Sequence, residues 1–295
     1  MKEFKHESIM MMVCRKLGLH GLAWSLRRLH VPIGKEALVL EIGSGGNPYP
    51  RANVLLDAYE ETVERWYAPL VKDRPFVLGI AEKLPFKNKS FDFIIASHVL
   101  EHSTDPAAFL REISRVGKAG YIEVPDAFFE RIIPYTFHRL EILEENSQLI
   151  IKKKVSWCPD AELADLYKRK VKNLNLISKY PFEFHTRFYW IDKINYKILN
   201  SNISINWDAT QDITNPVAST LRHHIRSSIV LPLVRYLFSQ KRRNRNIDLI
   251  SLLICPDCGA ESIQNRGDKI VCNKCAAIYP IKDGIPLMYS KAFRI

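Results

Sequence analysis

Short apolar segments alternate with amphipathic segments through the first half of the chain. Amphipathic stretches at 59–70 and 105–115 have the apolar spacing of helices. Around them lie apolar stretches of the length of buried strands, at 38–42, 53–56, 76–79, 91–96 and 120–124. Short buried strands that alternate with helices are typical of a parallel sheet covered on both faces. The pattern therefore predicts an α/β domain with a parallel sheet and helices on both faces.

The regions around this sheet are predicted to be a helical start, a mixed insert and a basic linker. Residues 8–30 predict an amphipathic helical segment that buries Ile9, Val13, Leu17, Leu22, Leu26 and Leu29, with Met10 to Met12 in the core. In the insert we expect a helix at 161–171 and strands at 148–156, 183–191 and 195–205. Residues 217–247 predict a basic helix, or a helix pair interrupted at Pro232. The chain then divides into residues 1–36, 37–212 (with the insert at 126–212), 213–249 and 250–295.

The first crossover of the sheet is unusually short. Only ten residues, Gly43 to Ala52, join the first two predicted strands. A parallel crossover usually needs a dozen residues or more and generally contains a helix. We therefore expect this helix to be truncated or missing, and we expect the N-terminal segment to cover the sheet face that it would leave exposed.

The composition, 47% hydrophobic and 25% charged among 295 residues, is that of a globular protein. The sequence lacks the run of about 18 apolar residues that a membrane-spanning helix needs. The N-terminus lacks the features of an export signal, so we expect a cytoplasmic location. The net charge of +11 is concentrated in two flanking segments, 1–37 and 217–249. Such flanks are either solvated faces or contacts to a polyanion, and charge alone does not choose between them.

Four of the six cysteines form two CxxC pairs separated by thirteen residues. Without an export signal, such pairs indicate a metal ion rather than disulfides. We expect a structural zinc ion, because four thiolates complete its tetrahedral shell and leave no open position for catalysis. The predicted ligands are Cys255, Cys258, Cys272 and Cys275.

A glycine loop, Gly43-Ser-Gly-Gly46, follows the first predicted strand. A dinucleotide fingerprint would need glycine at position 48, where Pro48 stands, and no Walker lysine follows the loop. The loop therefore suits a nucleoside ligand without a pyrophosphate. Asp57 ends the second strand, where one carboxylate can accept hydrogen bonds from both ribose hydroxyls.

Four further motifs follow the glycine loop in order: Ala81-Glu-Lys-Leu-Pro-Phe86, Ser90-Phe-Asp92, Leu100-Glu-His102 and Arg111-Glu-Ile-Ser-Arg-Val116. With these motifs, the stretch from Glu41 to Pro125 resembles the class I S-adenosylmethionine (SAM)-dependent methyltransferases, in particular their type 11 branch. The resemblance implies a Rossmann-like sheet and SAM as the cofactor.

The resemblance also implies a role for each matching residue. Glu41, Gly43, Ser44 and Gly45 would line the methionine end of SAM, and Asp57 would hold the ribose. The backbone of Ala81, with Glu82 beside it, would meet the adenine, and Ser97 and His98 would lie near the methyl group. The family usually has Asp two residues before Glu82, where this chain has Ile80. Adenine recognition would then rest on backbone groups and stacking.

Histidine is the first candidate for a base, because an oxygen or ring-nitrogen acceptor benefits from proton removal near neutral pH. His98 and His138 are the candidates, although His98 fits the wall of a pocket equally well. Glu101 and His102 are interpreted as structural, since the branch has the L-E-H pattern whatever its substrate. The Pro-Pro motif of amine- and amide-methylating enzymes is absent, and Ala96-Ser-His-Val-Leu100 stands in its place.

The tail from Leu252 to Pro286 resembles the small zinc-ribbon family of tRNA-methyltransferase-activator-like proteins. Free-standing members of that family bind and stabilise class I methyltransferases that act on RNA or protein. The resemblance implies an intramolecular version, in which the module packs on the sheet and adds a strand to its edge. The alternative is a mobile zinc ribbon that recruits another partner.

The leading hypothesis is a SAM-dependent methyltransferase with a small-molecule or lipid-linked glycan acceptor, which the type 11 branch and the neutral central region favour. Aromatic residues of the insert would then form part of a substrate cap. RNA, either tRNA or rRNA, is the alternative acceptor, favoured by the tail and the basic flanks. A non-catalytic SAM-binding scaffold is the hypothesis from another class. Residues 217–247 also suit peripheral contact with the inner face of an anionic membrane.

Overall fold

The computed structural model describes residues 4–65, 68–133, 135–156, 160–170, 174–205 and 231–293. The chain divides into two compact units, each of them discontinuous in sequence. Unit 1 comprises residues 1–34, 97–104 and 121–214, and unit 2 comprises residues 35–96, 105–120 and 215–295. The four-part division expected from the sequence stays a prediction.

Helices and strands are numbered here in chain order within the described residues. The helices are α1 (Ile9–Lys16), α2 (His20–Leu26), α3 (Pro106–Val116), α4 (Ala127–Ile132), α5 (Ala161–Lys170), α6 (Leu176–Lys179), α7 (Leu231–Phe238), α8 (Lys241–Asn244) and α9 (Leu249–Leu252). The strands are β1 (Val39–Ile42), β2 (Val54–Asp57), β3 (Phe76–Leu78), β4 (Phe93–Ser97), β5 (Ala119–Pro125), β6 (Leu140–Glu145), β7 (Gln148–Lys153), β8 (His185–Ile191), β9 (Tyr196–Ile198), β10 (Ile263–Asn265), β11 (Lys269–Cys272), β12 (Ile278–Lys282) and β13 (Ile285–Pro286).

Unit 2 contains a parallel sheet in the order β3-β2-β1-β4. Its register pairs Glu41 of β1 with Leu55 of β2 and with Ile95 of β4. The strands are buried along almost their whole length, as expected of strands that are covered on both faces. The first four predicted strands and their parallel arrangement in unit 2 are confirmed, and the fifth is confirmed as β5. The helix predicted at 105–115 is also confirmed as α3, which Asp105 caps by accepting from the Ala108 N–H.

The missing crossover helix is confirmed, because residues 43–53 contain no helix. Arg74, itself buried, takes over part of the hydrogen bonding that a helix would supply. Its guanidinium donates to the backbone carbonyls of Tyr49, Pro50 and Ala52, at 3.2, 3.2 and 2.6 Å. Buried carbonyl groups need such partners when regular structure is absent. One arginine therefore holds the short crossover in place.

The prediction of a helix at 59–70 is wrong. The described part of this stretch contains only a 3-10 turn at Val63–Arg65, while residues 66 and 67 lie outside the described residues. The Arg65 side chain donates to the carbonyls of Tyr59 and Glu60, at 3.1 and 2.6 Å, and thereby binds the segment in an irregular conformation. Apolar spacing alone did not reveal this competing hydrogen bonding.

A four-stranded antiparallel sheet, β10-β11-β12-β13, forms the C-terminal part of unit 2. The hairpin between β12 and β13 turns at Asp283 and Gly284, both with positive φ (51° and 76°). Positive φ at both central residues is the hallmark of the type I′ turn. Below we call this sheet with its four cysteines the ribbon.

The ribbon is attached to the edge strand β3. Leu287 forms a parallel bridge with Leu78, and the Met288 N–H donates to the Leu78 carbonyl at 2.7 Å. A shared apolar cluster joins Leu78 to Ile285 of the ribbon, with Leu287 packed against it. The strand addition expected at the sheet edge is thus reduced to one isolated bridge in unit 2.

Helices α7 and α8 belong to the predicted basic linker and also contact the sheet of unit 2. The buried Asn53 amide donates to Gln240 at 2.9 Å and to Asn244 at 2.8 Å. Pro232 is the second described residue of α7, and the interruption expected there stays a prediction. Residues 217–230 of the predicted stretch lie outside the described residues. Among the described helices, none has the length and apolar content to span a membrane.

The N-terminal segment belongs to unit 1. Our prediction of the face that it buries is wrong. Ile9, Val13 and Leu17 are exposed, whereas the shared core consists of Met11, Cys14 and Ala23. The physical reason is a break at Gly18, whose φ of +72° ends α1 and turns the chain into α2. Two short helices therefore pack against each other, in place of one continuous amphipathic helix. Met10 and Met12 are likewise exposed.

The insert of unit 1 contains a sheet in the order β6-β7-β9, and β8 lies beside β5. The strands expected at 148–156 and 183–191 and the helix at 161–171 are confirmed as β7, β8 and α5. The strand expected at 195–205 is reduced to β9. Strand β6 was not predicted, because its acidic residues obscure the pattern of a strand. A tight hairpin at Asn146 and Ser147, which have φ of 51° and 59°, joins it to β7.

Candidate functional sites

The glycine loop of unit 2 is fixed against the end of β2. Gly43 and Gly45 have φ of 65° and 54°, values at which a side chain would be strained. The N–H groups of Gly43 and Ser44 both donate to the Leu56 carbonyl, at 2.8 and 3.3 Å. The loop is therefore held in place before any ligand binds.

Two buried carboxylates flank this loop. Glu41 accepts from the Tyr49 N–H at 2.7 Å, and Asp57 accepts from the Gly45 N–H at 2.9 Å. Burial raises the pKa of Asp57, while the Gly45 N–H and the Arg65 guanidinium oppose the increase. The structure thus brings Glu41, the glycine loop and Asp57 together in unit 2. Their assignment to SAM stays a prediction.

Ser44 supplies an observation that fits a ligand at this loop. Its hydroxyl is buried and has no hydrogen-bond partner among the described residues. Buried hydroxyl groups are normally paired, since leaving one unpaired costs about 1–3 kcal/mol. A polar ligand group that reached the loop would satisfy Ser44. The residues present therefore fit a nucleoside cofactor with a polar tail, as SAM has.

Arg65 is a residue of this site that the sequence did not indicate. Its Nη1 lies 3.2 Å from Oδ1 of Asp57, the oxygen that the Gly45 N–H leaves free. A Cβ added at Gly45 would lie 3.4 Å from Cδ of Arg65, so the arginine stem packs directly on the loop. Nothing in a lone arginine within a polar stretch predicts this contact.

The predicted adenine residues Ala81 and Glu82 lie in a 3-10 turn that follows β3. Ala81 is buried, and so is Ile80, which stands where the family usually has Asp. The structure therefore provides a backbone and apolar surface at this point of unit 2 and no carboxylate from residue 80. The adenine role of this turn stays a prediction.

Unit 1 contains a separate buried polar network centred on Glu123 of β5. Arg27 binds the Glu123 carboxylate through two parallel bonds of 2.7 and 2.8 Å, and Ser97 donates to it at 3.0 Å. Burial opposes the charged form, but the Arg27 guanidinium outweighs it and holds the pKa of Glu123 well below its usual range. Ser97, predicted near the methyl group, is thus a partner of Glu123. A lone glutamate inside an apolar strand was the available signal for this network.

His98 lies between two carboxylates of unit 1. Its ring nitrogens are 3.5 Å from Glu101 and 3.4 Å from Glu123. Partial desolvation of the ring, which is 39% exposed, favours its neutral form, but the two carboxylates outweigh this effect and raise the pKa of His98 to about 9. The imidazole is then protonated at neutral pH, which is the opposite of what a general base requires. His185 packs edge-on against His98, and burial with the nearby His98 charge lowers the pKa of His185 to about 4.

His138, the second predicted catalytic residue, is buried in unit 1 against His102. The two rings meet edge to face, with centroids 4.7 Å apart. Nδ1 of His138 lies 2.6 Å from Glu130, and the other oxygen of that carboxylate accepts from Lys154 at 2.9 Å. The catalytic role of His138 stays a prediction. Glu130 is a further residue that the sequence analysis missed.

The four cysteines of the ribbon converge in unit 2. All four sulfur atoms lie within 4.8 Å of one another. The Cys255–Cys275 and Cys258–Cys272 sulfur pairs are both 3.6 Å apart. Disulfide sulfurs are about 2.05 Å apart, whereas thiolates around a tetrahedral zinc ion, at about 2.3 Å from it, are roughly 3.8 Å apart. The cluster therefore fits a tetrahedral metal ion.

Residues 40–122 match a family model described as a methyltransferase domain. A curated relative, the ubiquinone/menaquinone biosynthesis C-methyltransferase UbiE of Xanthomonas campestris pv. campestris, is 38% identical over 90 residues. That match covers 28% of this chain and 35% of the relative, so the chain spans about a third of the relative's length. Residues 40–122 contain the glycine loop, Asp57 and the turn at Ala81–Lys83 described above.

A second, shorter relative matches another family. The UPF0434 protein of Nitrosococcus oceani is 36% identical over 47 residues, which are 16% of this chain and 80% of the relative. Through this segment the chain belongs to the UPF0434 family, and residues 40–122 separately match the methyltransferase-domain model. Among solved structures, a complex between the Haloferax volcanii Trm112 methyltransferase activator and a methyltransferase is similar at 15% identity, with a TM-score of 0.37. It covers 63% of this chain and 96% of that chain.

Proposed function

We propose that this protein is a SAM-dependent methyltransferase whose acceptor is a small molecule or a lipid-linked glycan. The match of residues 40–122 to a methyltransferase domain carries the proposal. The glycine loop with its positive φ values and the unpaired Ser44 hydroxyl support it, because both suit a ligand that approaches the backbone closely.

In this proposal the cofactor is held at the carboxyl ends of β1 and β2. Glu41, Gly43, Ser44 and Gly45 contact the methionine part of SAM, and Asp57 accepts from the ribose hydroxyls. The Ala81 backbone and Glu82 contact the adenine, while Ser97 supports Glu123. SAM supplies an activated methyl group, so the protein mainly has to position the acceptor and exclude water.

A small-molecule acceptor is favoured by the curated relative, whose name assigns it to quinone biosynthesis. RNA is the second candidate acceptor, and one observation favours it. An open groove on unit 2 is lined by the basic side chains Lys35, Lys241, Arg242 and Arg243. Such a groove suits a phosphate backbone.

The ribbon is proposed to bind zinc through Cys255, Cys258, Cys272 and Cys275, and to stabilise the methyltransferase domain. The sulfur distances and the attachment of the ribbon to β3 support both parts of this proposal. The UPF0434 match has a length of 47 residues, close to the 46 residues of the predicted module at 250–295, and we infer that the two coincide.

Transfer of labelled methyl from SAM into an extract of the source cells tests the acceptor class. The extract is separated into RNA, protein and organic-soluble fractions after incubation with the full chain, with Asp57→Ala as the inactive control. Label in the organic-soluble fraction that requires Asp57 supports the proposal. Label in RNA that falls with Lys241→Ala, but not with the exposed Lys274→Ala, supports the RNA alternative. No transfer and no SAM binding by calorimetry would make the chain a scaffold instead.

A further inference from the structure

Besides the four cysteines of unit 2, the structure contains a second cluster of side chains that could bind a metal ion, and this cluster lies in unit 1. Glu101 and His102 end the 3-10 turn at Leu100–His102, and His138 reaches them from the loop before β6. A carboxylate oxygen of Glu101 and one ring nitrogen from each histidine all lie within 4.8 Å of one another. The Arg139 N–H donates to the Glu101 carbonyl at 2.7 Å, which fixes the two chain segments to each other.

Among the described residues, the carboxylate of Glu101 has a long electrostatic contact with His98 and no hydrogen bond. Its side chain is 1% exposed, and neither oxygen has a hydrogen-bond partner among the described residues. Nδ1 of His98 lies 3.5 Å away, which is an electrostatic contact and too long for a good hydrogen bond. Buried charges in proteins are normally paired or bound to a metal ion. Glu101 thus has unused ligand capacity directed at two histidines.

His138 is oriented as metal-binding histidines are. Its Nδ1 is engaged by Glu130 at 2.6 Å, and Lys154 holds that carboxylate from the other side. With its proton on Nδ1, the ring presents the lone pair of Nε2 to the other side. A carboxylate that orients a histidine in this way is the usual outer shell of a protein metal site. If the Glu130–His138 bond had only a structural role, it would not require the carboxylate of Glu101, which has no hydrogen bond, beside it.

We infer that Glu101, His102 and His138 form a binding site for a divalent transition-metal ion such as zinc or manganese. Two imidazoles and one carboxylate suit these ions in ligand type. Ligands about 2.0–2.2 Å from an ion are roughly 3–3.5 Å apart, so donors that lie within 4.8 Å of one another need to approach by up to about 1.3–1.8 Å. Three protein ligands leave coordination positions open for water or for an oxygen of a bound molecule. The inference stands on these residues and does not depend on the proposed methyltransferase activity.

Metal stoichiometry of the full chain provides the first test. The chain is stripped with a chelator, reloaded with zinc, passed through a desalting column and analysed for metal and protein content. We expect one ion per chain beyond the ion of the ribbon. Glu101→Gln, which keeps the shape and removes the charge, should lose that ion and retain the other. Glu145→Gln, at an exposed position of the same unit, should retain both.

Manganese binding to the unaltered chain tests the inference without any variant. Manganese prefers carboxylate and imidazole to thiolate, so the zinc-filled ribbon should not compete for it. Loss of the paramagnetic resonance signal of free manganese should reveal one saturable site per chain. The inference is overturned if the unaltered chain binds no manganese and only the ribbon zinc. It is also overturned if the additional ion persists in both Glu101→Gln and His138→Asn chains that melt as cooperatively as the unaltered chain.

Discussion

At the scale of single residues, Asp57 combines a proposed ligand role with a cost in stability. Its carboxylate is buried, and burial raises its pKa against the opposing effects of Gly45 and Arg65, so folding favours the neutral form. Asp57→Asn is a neutral replacement of nearly the same shape. We expect it to raise the melting temperature of the cofactor-free protein at neutral pH. SAM affinity should fall by about tenfold or more, because a charged acceptor contributes about 1.5–3 kcal/mol.

The pH dependence of this effect follows from the direction of the shift. A raised native pKa contributes stability that is fully present below the unfolded pKa, about 3.9, and is lost as the pH rises through the native pKa. The melting difference between Asp57→Asn and the unaltered chain should therefore shrink as the pH falls from neutrality to about 4. Calorimetric scans over that range measure it. A difference that does not change with pH would contradict the assignment.

A second prediction concerns Arg65. Its ion pair occupies the Asp57 oxygen that ribose hydroxyls would need. Arg65→Gln keeps a hydrogen-bond donor and removes the charge. We expect SAM to bind about two- to fivefold more tightly, since a partly exposed ion pair contributes on the order of 0.5–1 kcal/mol. Lys72→Gln removes an ion pair with Glu60 in the same segment and should leave the affinity unchanged. Weaker binding by Arg65→Gln would instead make Arg65 a cofactor contact.

Part of the candidate site could be predicted from the sequence, for a definite physical reason. Glu41, Gly43 and Asp57 end neighbouring parallel strands, and the ends of such strands share one edge of the sheet. Arg65 could not be predicted, because it reaches Asp57 from an irregular segment. Glu130 lies in α4, but its partner His138 lies in an irregular segment, so this contact could not be predicted either. The protonation of His98 was also missed, since it depends on Glu123, which is distant in sequence.

At the scale of secondary structure, the ribbon's attachment to β3 can be tested by removing one buried side chain. Met288 is fully buried where the ribbon meets Leu78, so Met288→Ala leaves a cavity. We expect a loss of about 2–5 kcal/mol in the free energy of unfolding. Met10→Ala is the matched control, because Met10 is 61% exposed on α1, and it should cost about 0.5 kcal/mol or less. Denaturant titration of the full chains measures both, and equal effects would show that the ribbon contact contributes nothing.

The helices and strands also show which elements the pattern of apolar residues can predict. The strands β1 to β5 were found because burial on both faces gives continuous apolar runs of recognisable length. Segments 8–30 and 59–70 failed for different reasons. Gly18 breaks the first segment into two helices with another buried face, and the side chain of Arg65 replaces helical hydrogen bonds in the second. In both segments, one residue outweighed the spacing of the others.

At the scale of the whole chain, the contacts within unit 2 predict that the ribbon and the parallel sheet unfold together. The backbone joins them twice, through Met288 with Leu78 and through Ile254, whose N–H donates to Pro85 at 2.9 Å. A four-thiolate site that holds zinc contributes about 10–16 kcal/mol to the folding of small zinc domains. Loss of the metal should therefore destabilise the parallel sheet as well as the ribbon.

Cys255→Ser tests this coupling in the full chain. Cys255 is fully buried in the thiol cluster, so serine removes one ligand with little change in volume. We expect a single melting transition that is lowered by roughly ten degrees or more, since 1 kcal/mol corresponds to about 2–4 °C in a domain of this size. Lys274→Ser changes an exposed neighbour in the second CxxC pair and should melt like the unaltered chain. If Cys255→Ser left the main transition in place and lost only a small separate one, the ribbon would be an independent appendage that stabilises nothing beyond itself.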